Sequence, residues 1–151
     1  MTRVSFYHLQ RLPLDQALPR LLERIVAQGH RVVVQAGSPE RVEALNALLW
    51  TWSPDSWLPH GSARDGDAAL QPIWLTDQGD NPNGADVLIL VDGASPSSYE
   101  PYARACDLFD GKDEDALKAA RQRWLACKAQ GHELIYLQQT EQGGWVEKAR
   151  G

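Results

Sequence analysis

Val87-Leu88-Ile89-Leu90-Val91-Asp92-Gly93 is the most apolar run of the chain, and it closes on an acidic residue followed by glycine. Such a run leaves no polar side to turn toward water, so it predicts the central strand of a sheet covered on both faces. Arg31-Val32-Val33-Val34-Gln35-Ala36 has the same character and predicts a second strand of the parallel kind. Between and around these two runs the chain alternates strand and helix signals.

Upstream, Val4-Ser5-Phe6-Tyr7-His8-Leu9 suits a first strand, ended by Leu12-Pro13. Leu14, Ala17, Leu18, Leu21, Leu22, Ile25 and Val26 then recur at helical spacing, and Gly29 closes that helix. Pro19 lies inside the pattern and predicts a kink or a late start, with 21–28 the secure part. Ser38 is placed as N-cap of the next helix with Pro39 at its first position, and Val42, Leu45, Leu48 and Leu49 form its apolar stripe. Residues 61–70 are small, polar and charged and predict a mobile loop; 72–76 predict a strand, and 77–84 a turn cluster. Downstream, 95–102 offer a short helix or turn, and 105–109 a further strand. Asp113, Glu114 and Asp115 suit the N-terminus of a helix over 116–130, stopped by Gly131. Residues 133–138 predict the last main strand, and 143–148 a hairpin or edge strand against it. With no repeat and no linker, this order predicts one α/β domain over 1–151, a three-layer α/β/α sandwich with a mostly parallel sheet.

Composition narrows the function. A chain of 151 residues buries roughly two thirds of its unfolded surface, so it needs neither disulfide nor metal to fold. Its net charge is −5, with basic residues scattered, and that disfavours a direct grip on a DNA backbone. The opening residues contain no apolar signal-peptide core, and no run has the length of a membrane span, so a cytoplasmic protein is expected. Cys106 and Cys127 form no CxxC and are expected as buried free thiols.

Leu48-Leu49-Trp50-Thr51-Trp52-Ser53-Pro54-Asp55-Ser56-Trp57-Leu58-Pro59-His60-Gly61 is the most distinctive segment, with three of the six tryptophans inside it. Pro54 and Pro59 prevent a helix throughout, so a helix ending near Trp50 must pass into an irregular loop. Any one of these indoles is as well explained by plugging the core. Three together have the composition of a protein-binding hot spot.

Enzymatic signatures are weak. The strand ending at Asp92 looks like the acidic strand end of nucleotide hydrolases, but Ala36-Gly37-Ser38-Pro39 supplies one glycine and no lysine where a phosphate loop would stand. A nucleotide-binding hydrolase without its phosphate loop is the alternative reading. His8, His30, His60 and His132 have no zinc-ligand spacing, and neither GxSxG nor a reactive-cysteine signature occurs. No catalysis, metal or cofactor is expected.

On the 116–130 helix, Leu117, Ala120, Trp124 and Cys127 form the stripe most easily buried, beside Arg121, Leu125 and Lys128. Trp124 straddles the two stripes. With Arg121, Arg123 and Lys128 it can hold an apolar side chain and a carboxylate together. Spacing alone favours the plainer alternative of a core tryptophan with solvated cations.

Taken together, these segments resemble the chi subunit of bacterial DNA polymerase III, a clamp-loader accessory protein. The resemblance rests on Phe6-Tyr7-His8-Leu9, Gly29-His30-Arg31-Val32-Val33-Val34, the Leu48-Leu49-Trp50 to Ser56-Trp57-Leu58-Pro59-His60 segment, Leu108-Phe109-Asp110-Gly111, Ala120-Arg121-Gln122-Arg123-Trp124 and Gly131-His132. Gln138-Gln139-Thr140 and Gly143-Gly144-Trp145 resemble the alphaproteobacterial branch. The resemblance implies a non-catalytic protein with two binding surfaces, touching DNA only indirectly. Trp50, Trp57, Pro59 and His60 match the side that binds the psi subunit or an XPD-type helicase. Arg121 and Trp124, with Arg123 and Lys128 as neighbours, match the site for the acidic C-terminal tail of single-stranded DNA-binding protein (SSB), which ends in a Phe carboxylate. Two helix positions that are lysine in better-known members stand here as Leu117 and Leu125, which implies a less positive pocket.

Overall fold

A computed structural model describes residues 2–10, 12–52, 60–62, 69, 71–96, 98–142 and 144–151. In chain order its elements are β1 (Arg3–Leu9), α1 (Leu14–Ala27), β2 (Val32–Gln35), α2 (Pro39–Thr51), β3 (His60–Ser62), β4 (Ile73–Thr76), β5 (Val87–Leu90), β6 (Arg104–Asp110), α3 (Glu114–Ala129), β7 (Glu133–Gln139) and β8 (Trp145–Arg150). The strands make one eight-stranded sheet in the order β3-β4-β2-β5-β6-β1-β7-β8. All pairs are parallel except β7 with β8.

The two apolar runs behave as their composition predicts. β2 and β5 are neighbours, fully buried along their length, with Val33 beside Leu88 and Val34 beside Ile89. Strand alternation sorts their side chains between two cores. Val32, Val34 and Ile89 pack with Leu18, Leu22, Ile25, Leu45 and Leu49 of α1 and α2. Val33 and Leu88 join Phe6, Phe109, Ala120 and Cys127 on the α3 side. Cys106 and Cys127 are buried free thiols in opposite cores. The result is the expected three-layer sandwich, and no helix among the described residues is long and apolar enough to cross a membrane.

Two local expectations need correction. Of the two forms expected at Pro19, α1 does not take the late start: it begins at Leu14, with Pro13 as its N-cap residue, and runs to Ala27 with Pro19 buried inside it. Leu18, Leu21 and Leu22 around that proline are all buried, and their packing outweighs the one backbone bond a proline forfeits. The predicted loop from residue 61 opens instead with a buried edge strand, β3, paired to β4; 63–68 and 70 lie outside the described residues. The described part of 95–102 takes the turn of the two forms expected there, fastened by the Thr2 hydroxyl, which is shared between the carbonyls of Tyr99 and Tyr102 at 2.8 and 2.9 Å.

Candidate protein-binding groove and edge patch

α3 begins where Asp113, as N-cap, accepts from the amides of Asp115 and Ala116. It packs over β1 and touches β6 and β7. Ala120 and Cys127 are its buried residues, so the face beside them looks along the sheet toward β8. There a groove of about 560 Å³ opens between helix and sheet. Phe6, Phe109 and Tyr136 line its sheet side, and Leu117, Arg121, Trp124 and Leu125 line its helix side. Its aromatic rings brace one another: Trp124 meets Phe6 edge-on at 5.4 Å and Tyr136 at 6.2 Å between centroids. A Cβ on Gly151 would stand 3.0 Å from Cζ2 of Trp124, so the backbone beyond β8 packs directly against the indole.

The electrostatics of the groove run against those of the chain. In a molecule of net charge −5, the charged residues lining it are Arg121 and Lys148, with no Asp or Glu. Burial pushes the phenol pKa of Tyr136 up, and the nearby Arg121 cation draws it back. A cleft with aromatic walls and two cations at its rim suits an apolar side chain that carries an anion. Leu125, 58% exposed, adds apolar surface at the edge.

The structure brings Arg121 and Trp124 into one cleft but not the other two cations predicted beside them. Arg123 points into the protein and binds Asp107 of β6 through two parallel hydrogen bonds, 2.6 Å from Nε and 3.0 Å from Nη2. Lys128 is exposed and lies outside the lining of the groove. Sequence reading missed Phe6, Phe109 and Tyr136, whose inward positions follow only from strand register, and Lys148, on the edge strand. The one available signal was alternation in 133–139, which sets Leu134 and Tyr136 on the same face.

The tryptophan segment divides. Trp50, near the end of α2, is 59% exposed and packs its ring on His60 of β3, with centroids 4.7 Å apart. His60 itself is buried. Trp52 instead serves the core, where its Nε1 donates to Glu23 of α1 at 2.6 Å. Trp57 and Pro59 lie outside the described residues. Trp50 and His60 sit at the β3 edge of the sheet and the groove near its β8 edge. At about 4.8 Å per strand spacing the two sites are on the order of 25–30 Å apart. Asp92, the strand-end acid, adopts a left-handed turn (φ 57°) and is ion-paired to Arg41 at 2.8 Å.

Residues 1–135 match the family described as DNA polymerase III chi subunit, HolC. A probable DNA polymerase III subunit chi of Rickettsia prowazekii (strain Madrid E) is 36% identical over 91 residues, which cover 60% of this chain and 55% of that relative. The matched part thus spans about half the length of the Rickettsia protein. The DNA polymerase III subunit chi of Pseudomonas aeruginosa is 27% identical over 139 residues, covering 89% of this chain and 94% of the relative.

Proposed function

The chain belongs to the DNA polymerase III chi subunit family, and on that premise we propose that it is a non-catalytic accessory subunit that couples the clamp loader to SSB on the lagging-strand template. The surface carrying Trp50 and His60 receives a psi-type subunit, or in its place an XPD-type helicase; Trp57 and Pro59 are assigned to the same role by the sequence resemblance alone. The groove under Arg121 and Trp124 receives the C-terminal tail of SSB, so DNA is reached only through SSB, in the cytoplasm. The observation that carries this reading is the separation of an exposed indole and an electropositive aromatic groove at opposite sides of one sheet. Two partners on such surfaces do not compete, which is what a coupling subunit requires. Loading SSB-coated single-stranded DNA on a biosensor tests it. Clamp loader carrying psi should be retained only when the chain is added, and Trp50→Ala or Arg121→Ala should each break the bridge from one side. Retention that ignores both substitutions would refute the coupling role.

A further inference from the structure

The helix wall of the groove supplies one cation, Arg121; its other lining residues, Leu117, Trp124 and Leu125 among them, are uncharged. The second cation comes from β8, beyond residues 1–135 that the family shares. An irregularity of the ladder decides which residues stand beside it. Leu137 pairs with Glu147, but Tyr136 pairs with Ala149, so Lys148 is an extra residue in the antiparallel pairing. Such a bulge changes which side chains share a face. In an unbroken ladder Arg150 would fall on the groove side with Lys148. The extra residue moves Arg150 to the other face, opposite Ile135, where it pairs with Glu147 and lies 3.8 Å from Glu133. The acids at this edge are thereby neutralised away from the groove. Lys148 and Ala149 are left lining it beside Tyr136. Neither Lys148 nor Arg121 forms an ion pair among the described residues.

We propose that Lys148 is the second half of a carboxylate clamp, facing Arg121 across the groove and selecting peptides that end in an apolar residue with a free C-terminal carboxylate. This rests on the reading of the groove as a tail-binding site. A terminal carboxylate has two oxygens and accepts from two donors at once; one cation from the helix and one from the strand hold it at the rim while the last side chain lies among Phe6, Trp124 and Tyr136. The clamp spans two elements, so recognition depends on β8 staying docked.

The test is fluorescence anisotropy with one labelled acidic peptide ending in Phe, prepared as free acid and as C-terminal amide. The unsubstituted chain should prefer the acid. Lys148→Ala should weaken the acid about five- to tenfold, the scale of a partly exposed charge-assisted pair, and leave the amide unchanged. Lys148→Arg should restore the preference. If the acid is preferred, Arg121→Ala abolishes that preference and Lys148→Ala does not, the clamp is overturned while the groove reading stands. If the unsubstituted chain binds neither peptide, or both equally, groove reading and clamp fall together. Lys148 is exposed, so matching thermal melts are expected for all variants.

Discussion

A Cβ on Gly111 would fall inside the imidazole of His8. The two residues are adjacent because β1 and β6 pair in parallel, with His8 beside Phe109 and Leu9 beside Asp110, and the turn after β6 brings Gly111 over the ring. His8 in turn bonds its Nδ1 to the Tyr136 hydroxyl and packs against Phe109 at 5.3 Å. Gly111→Ala should therefore destabilise the protein by about 1–3 kcal/mol, the usual scale of overpacking. Urea denaturation of Gly111→Ala, His8→Ala and the double variant checks the cause. The alanine at 111 should cost much less once the imidazole is gone; equal cost in both backgrounds would place the strain elsewhere.

His8 also predicts a pH dependence. Burial holds its pKa below the ordinary imidazole value, with Asp110 opposing that shift. A group depressed in the folded state contributes stability above the unfolded pKa, near pH 6.5, and loses it as pH falls through the lower folded value. Denaturation midpoints should thus drop between pH 7 and 5 more steeply for the unsubstituted chain than for His8→Gln. The difference should be a fraction of the one-proton limit of about 1.4 kcal/mol per pH unit, because the ring is partly open to water. A steeper drop for His8→Gln would reverse the assignment.

Arg121 and Arg123 are two residues apart, yet their substitution should read out differently. The Asp107 side chain is 1% exposed and that of Arg123 11%. Burial pushes the Asp107 carboxyl pKa up, and only the guanidinium opposes it. Arg123→Ala strands that acid and should cost about 3–5 kcal/mol of stability. Arg121→Ala should leave the melting temperature within a degree or two, since isolated surface changes cost roughly 0.5 kcal/mol or less. Thermal melts of the pair decide; similar losses would mean that Arg121 also carries structure.

Trp50→Ala should fold normally and lose its clamp-loader-side partner, because truncating an interface anchor typically costs about 2 kcal/mol or more. Circular dichroism with co-purification of a psi-type subunit checks this. A variant that melts far earlier while its folded fraction still binds would make the indole a structural residue resting on His60.

How much of this was legible depended on what each signal reports. Both apolar runs, the capping of α2 by Ser38, the acidic N-terminus of α3, and the burial of Ala120 and Cys127 are local facts, carried by periodicity and cap chemistry. In Gly29-His30 and Gly131-His132 the glycine reads as a helix stop, but the histidine has no visible role in the sequence. Each proves to be a left-handed glycine after a helix followed by a histidine that pins the next turn, His30 to Asp86 at 2.6 Å and His132 to the Thr2 amide at 3.3 Å. Their partners stand 56 and 130 residues away, out of reach of any window. Arg123 was misplaced for the same reason, since nothing near it in sequence announces Asp107. Lys148 was missed because the docking of β8 beside the α3 groove is a long-range contact that leaves no compositional mark.

If the α3 groove holds an acidic peptide by its last residue, isothermal titration with the SSB tail peptide will read it directly. The intact peptide should bind with one site per chain and weaken as salt rises. Removing its terminal Phe should abolish measurable binding, and Arg121→Ala should cost roughly ten- to a hundredfold in affinity, the range for a charge-assisted pair with a carboxylate. Binding that survives both changes undiminished would contradict the account and place the tail, if it docks at all, on another surface.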